Sequence, residues 1–223
     1  MRPSAFAIIL ILSSLCFATS VPSWVQPGVT VVYDGISGYY SNGQYTNPVA
    51  TTVTLRVNSV AGNTVAGTTY VEIPTMPGYR QTFDWTCIEG GVCDWRFWVD
   101  PANPTGSAKG PNGETYSVVN SGPYSHGSYS NPDATLMAYQ NAGSGVEYHL
   151  TFETRTGLIV AYAEKYPSQH TFLYFKSINQ DLSSYQPPQA ANPLSGANGV
   201  CPGFFILVFP LAAAAACGVS RDE

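Results

Sequence analysis

Hydrophobic and polar residues along this chain alternate over short stretches with a period of two. In Thr52–Asn58, Val53, Leu55 and Val57 fall on one side, and Thr54, Arg56 and Asn58 on the other. That is the signature of a half-buried strand, because successive β-carbons point to opposite faces. A second clean run places Val146, Tyr148, Leu150 and Phe152 opposite Glu147, His149 and Glu153. Further strand signals cover Val29–Tyr33, Val65–Ile73, Tyr79–Cys87, Cys93–Val99, Thr115–Val119, Ala134–Gln140, Leu158–Tyr166 and His170–Ile178. Turn residues separate them: Ala61-Gly62-Asn63-Thr64 joins one pair, and Thr154-Arg155-Thr156-Gly157 makes a tight hairpin of another. Away from the termini no stretch keeps a helical period. The pattern predicts an all-β fold. Its hairpin-linked antiparallel sheet curls as a half-barrel, barrel or sandwich, with hydrophobic helices at the chain ends.

The two ends break the alternation. Arg2 precedes an apolar run from Ala5 to Leu12 and a small-residue exit at Ala18-Thr19-Ser20. That order is a secretory signal peptide, expected to occupy residues 1–20. A β-rich extracytoplasmic domain is then expected over 21–185 and a Pro-rich linker over 186–202. A hydrophobic anchor or sorting tail follows over 203–223, without a charge from Gly203 to Val219. As a helix that stretch spans about 25 Å, a little short of a hydrocarbon core.

Pro202-Gly203-Phe204, after a polar linker and before an apolar end, resembles the sorting tails of archaeal exported surface proteins. There a Pro-Gly-Phe motif marks where the tail is cut and a lipid attached. The resemblance implies a membrane-anchored protein at the cell surface, although such tails usually finish in several basic residues and this one ends Arg221-Asp222-Glu223. The body, with its Thr156-Gly157-Leu158 hairpin, is loosely similar to half-barrel carriers of lipid or lipoprotein type. That likeness implies an enclosed apolar ligand.

Composition narrows the partners. Charged residues make up only 10% of the chain and the net charge is -5, with basic residues scattered singly. Nucleic acid needs clustered Lys and Arg to neutralise phosphates, so it is not expected as a partner. The expected partners are the membrane, through the C-terminal tail, and a glycan, a lipid or another envelope protein. Of five cysteines only Cys87 and Cys93 lie within 21–185. They flank a Gly-Gly turn, and in an exported protein a disulfide between them is the expectation.

Two groups of residues are candidates for ligand binding. Trp85, Trp95 and Phe97 belong to an aromatic cluster that reads either as a ligand wall or as core packing of the Cys87–Cys93 hairpin. Tyr39 and Tyr40, in the tract Ser37–Tyr45, and Tyr124 and Tyr129, in Pro123–Tyr129, suit adaptable recognition loops. Glu147, His149 and His170 are the best metal-ligand set, yet strand alternation alone predicts a polar stripe there, and neither metal nor cofactor is expected. Asp84 with Asp94, or Asp34 with Glu72, would suit a glycan hydrolase, but nothing in the sequence draws either pair together. No catalytic residue is assigned. The expected function is a non-catalytic cell-envelope domain for binding or structural display, with a half-barrel carrier of an apolar ligand and a secreted glycan hydrolase as alternatives.

Overall fold

The computed structural model describes residues 19–186, except 42, 43, 94, 111, 112 and 142. Residues 1–18 of the expected signal peptide, and the expected linker and tail from 187 onward, lie outside the described residues.

Nine strands form one antiparallel sheet: β1 (Thr30–Ser41), β2 (Gln44–Ala61), β3 (Thr64–Glu72), β4 (Arg80–Ile88), β5 (Ser117–His126), β6 (Tyr129–Gln140), β7 (Glu147–Glu153), β8 (Ile159–Lys165) and β9 (Gln169–Ile178). The only helix among the described residues, α1 (Pro104–Ser107), is one turn long. The strand order is β4-β3-β2-β1-β9-β8-β7-β6-β5, so the sheet is open and β4 and β5 are its two edges. Two meanders, β1–β4 and β5–β9, are joined down the middle by β1 pairing with β9. Hairpin links make this topology: each strand lies beside its sequence neighbour except where β4 crosses to β5.

That crossing builds the covered face. Residues 89–116 leave β4 and run over one side of the sheet as a strap before starting β5. Inward side chains of the sheet pack against the strap and the N-terminal segment in two clusters. The first gathers Val31, Tyr33, Val53, Leu55, Val57, Val65 and Trp85 under Trp24, Val25, Phe97 and Trp98. The second gathers Met137, Tyr148, Leu150, Phe152 and Ile159 under Val99, Ala108 and Tyr116. The alternation read in Val53–Val57 and in Val146–Phe152 is the burial observed there.

The expected strand Cys93–Val99 does not form. Phe97, Trp98 and Val99 are consecutive and all fully buried, which a segment packed on one face of a sheet cannot achieve. Instead the segment is sandwiched beneath the N-terminal residues and bonded to the start of β8. Ile159 N–H donates to the Phe97 carbonyl and Val99 N–H to the Gly157 carbonyl. Gly157 permits that approach: it has φ +73°, and a β-carbon there would lie 2.0 Å from the Val99 carbonyl oxygen. The predicted tight turn is thus also a docking point for the strap. The Cys87–Cys93 disulfide does form, fastening the beginning of the strap to the end of β4.

The tyrosine-rich tracts also differ from expectation. Ser37–Ser41 and Gln44–Tyr45 continue β1 and β2, and Pro123–His126 continues β5, so the expected loops are ends of long hairpins. Beyond β9, Arg155 holds the chain by donating to the carbonyls of Leu182, Ser183 and Tyr185.

Candidate functional site

The two core clusters do not meet completely. Between them, under the strap, lies a cavity of about 530 Å³. Its sheet wall comes from positions on six consecutive strands of the sheet, β3-β2-β1-β9-β8-β7, among them Val53 and Leu55 of β2, Leu150 of β7, Ile159 of β8 and Leu173 of β9. Strap residues Val92, Cys93, Trp95, Arg96 and Ala108 close it from the other side. Small and β-branched residues leave the space: Gly35 of β1 sits beside Leu173 and Thr51, where a β-carbon would come within 2.7 Å of both. The volume falls in the range of sites that enclose small organic ligands, and the mix of an apolar wall with a few polar groups is typical of them.

The polar groups gather on tyrosines. Tyr33, Tyr116, Tyr148 and Tyr162 line the cavity with Ser37, Thr171, Glu164 and Lys109. Tyr33 is fully committed, its hydroxyl donating to the Ile159 carbonyl at 2.7 Å. Tyr116 meets Tyr139 edge-on, and Tyr139 stacks on Tyr148 at 5.7 Å, forming an aromatic row across the second cluster. Burial first, then neighbouring phenols and Glu164, hold Tyr116 and Tyr162 well above the ordinary phenol range, so both are neutral.

Arg96 is the buried cation of the strap. Its Nη1 donates to Glu89 Oε2 at 3.2 Å and to Ser107 Oγ, while Nη2 reaches the Ile88 and Gly91 carbonyls and Cys93 Sγ. Both side chains of the Arg96–Glu89 pair are almost wholly buried, and Trp98 Nε1 donates to the same Glu89 oxygen at 2.8 Å. Burial pulls the guanidinium below its usual value and Glu89 opposes the shift. The pair therefore organises the strap roof. Breaking it by removing Arg96 would strand a carboxylate in the interior.

The residues expected to bind ligand separate into three places. Trp95 lines the cavity. Trp85 and Phe97 lie in the first core cluster, with Trp85 edge-on to Phe97 at 6.2 Å and its ring laid over Gly67. Tyr39 and Tyr40 are at the far end of β1: Tyr39 is 65% exposed, beside a shallow pocket it shares with Asn47 and Val49, and Tyr40 stacks on His170 at 4.2 Å. Tyr124 and Tyr129 are at the β5–β6 hairpin end, where Tyr129 donates to Glu153 Oε1 at 2.5 Å and packs on Phe175. None of these four tyrosines lines the cavity. The tyrosines that do, Tyr33, Tyr148 and Tyr162, sit at core-parity positions of β1, β7 and β8. A polar tip where alternation asks for Val or Leu was the available signal.

His149 meets Glu147 at 3.3 Å, and Lys165 takes the same carboxylate, while His170 pairs in register with Lys165. Among the described residues no three His, Cys, Asp or Glu side chains converge as metal ligands. Asp34 is paired with Lys176 and Glu72 with Arg80, each on the sheet outside the cavity. Asp94, the proposed partner of Asp84, lies outside the described residues.

Neither a known family model nor a curated protein matches this chain.

Proposed function

We propose that the domain is a non-catalytic binding protein of the cell envelope that carries an apolar or amphiphilic small molecule in the cavity beneath its strap. The single observation that carries this reading is the space itself. A domain serving only as a structural module would close the seam between its two clusters, since interiors pack to crystal-like density and an unfilled gap forfeits dispersion contacts. Here about 530 Å³ is left open and walled by Val53, Leu55, Leu150, Ile159 and Leu173. The Cys87–Cys93 disulfide suits an oxidising compartment. The signal segment and the Pro-Gly-Phe tail add export and attachment at the membrane, which would keep such a carrier next to a lipid source. The hydrolase alternative has less to stand on, because Asp34 and Glu72 are paired with Lys176 and Arg80 outside the cavity and Asp84 accepts from Thr68 Oγ1.

The reading is tested with Nile red, whose emission rises in apolar surroundings. The full-length protein is expected to take up one equivalent of dye saturably. Leu173→Trp, which pushes an indole into the cavity, is expected to weaken uptake about tenfold while the melting temperature holds. Organic extraction of protein purified from its native membrane is expected to release a bound lipid-like molecule. Failure of the wild-type protein to bind dye in a manner sensitive to Leu173→Trp would overturn the proposal.

A further inference from the structure

We infer that the polar wall of this cavity selects the head of its ligand: it accepts an amphiphile whose polar end donates hydrogen bonds, an alcohol or a primary amine, over one that ends in a carboxylate. This rests on the carrier reading and deepens it.

Three groups define the wall. Tyr162 and Glu164 are alternate residues of β8 and so share a face, and they pair in register with Leu173 and Thr171 of β9, which also line the cavity. Tyr116 approaches from the end of the strap. It is 4% exposed, yet neither its hydroxyl nor that of Tyr162 makes a hydrogen bond to any described residue. Both hydroxyls are open to the cavity they line, where an incoming polar group can meet them.

Glu164 sets the polarity of what can enter. Tyr166 donates to Glu164 Oε1 at 2.7 Å, and Glu164 lies near enough to help raise the Tyr148 phenol, after burial. An ionised carboxylate only accepts, and its two oxygens offer about four lone-pair sites, so room for a further donor remains. Among the described residues no cation is ion-paired with it. Arg96 is spent on Glu89, Ser107, the Gly91 carbonyl and Cys93 Sγ of the strap and the Ile88 carbonyl at the end of β4. Lys109, the other cation of the lining, is half-buried on the strap side and donates to Thr115 Oγ1 at 3.2 Å. Lys165, next along β8, points to the opposite face and meets Glu147. An incoming carboxylate at this wall would therefore meet the unpaired charge of Glu164, whereas a hydroxyl or ammonium would supply a further donor to it and the two phenols can accept from that head.

The test is displacement of Nile red from the full-length protein at pH 8 by dodecanol, dodecylamine and dodecanoic acid, which share one chain and differ in the head. Dodecanol and dodecylamine are expected to displace the dye at about tenfold lower concentration than dodecanoate. In Glu164→Gln the ratio between alcohol and carboxylate is expected to fall to about one, while Leu173→Trp weakens all three and keeps the ratio. Equal or stronger displacement by dodecanoate in the wild-type protein overturns the inference and leaves the carrier reading in place, as does a ratio that survives Glu164→Gln. Absence of dye binding altogether overturns both.

Discussion

The two core clusters face the same side of one sheet, lie under the same strap, and are built from different aromatic residues. The first is dry. Trp24 tilts on Phe97, Phe97 meets Trp98 at 4.9 Å, and Trp85 stands edge-on to Phe97. The indole N–H groups of Trp24 and Trp98 are spent on the Thr156 carbonyl and on Glu89. The second is built on Tyr116, Tyr148 and Tyr162, whose polar tips border open space. Trp and Phe fill volume, and their contacts are nearly all within the protein, whereas Tyr brings an apolar body with a hydroxyl that needs a partner. The Trp and Phe end of the first cluster closes the fold, while the second, together with Tyr33, Val53 and Leu55 of the first, leaves it unfinished on one side. The difference separates what holds the strap down from what a ligand would touch.

Substitution should expose that division most strongly at the closed end. Phe97→Ala is expected to cost about 3–5 kcal/mol, the range for truncating a fully buried aromatic, and Leu173→Ala on the cavity wall close to the lower limit of about 2 kcal/mol for buried leucine, because space already adjoins it. Chemical denaturation of the two variants checks the order, and a larger loss at Leu173 would contradict the contrast. Removing the clip comes next. Cys87→Ser with Cys93→Ser is expected to lower stability by about 2–3 kcal/mol, as for a short closed loop. Because Cys93 and Arg96 carry the roof of the cavity, dye affinity should fall along with the denaturation midpoint.

The smallest effect is at alkaline pH. Burial raises the phenols of Tyr33, Tyr116 and Tyr162 above their unfolded value, so the folded state holds protons that the unfolded chain releases near pH 10. Their contribution to stability is complete below that pH and is lost as pH rises above it toward the folded values. Tyrosinate absorbance is expected to show a fraction of phenols that ionise only as the circular dichroism of the sheet collapses. Tyr162→Phe should move that collapse to higher pH.

Much of the sheet was legible because most of its strands bury one face. Val53, Leu55 and Val57 declare their side by parity alone, as do Val146, Tyr148, Leu150 and Phe152. The strap was not legible, since Cys93–Val99 has strand-like composition but is covered on both sides by residues distant in sequence: Trp24 on one and Leu158 on the other. The tyrosine tracts misled for a related reason. Gly, Ser and Asn beside Tyr suggest loops, but in Ser37–Ser41 and Pro123–His126 pairing with a neighbouring strand overrides local preference. The candidate site was mostly hidden, because a cavity is a property of where the strap lies, and only Trp95 among the expected residues borders it. Tyr at the inward positions 33, 148 and 162 was the trace it left.

The central seam has a consequence for how the chain assembles. Val31 of β1 is paired with Ile178 of β9, so the middle of the sheet joins residues from opposite ends of the described fold. Each meander can zip from local hairpins, but the seam must close a loop of nearly the whole domain, and such distant pairings slow folding. A chain threaded outward from its beginning would present β1 with one side bare until β9 arrives last.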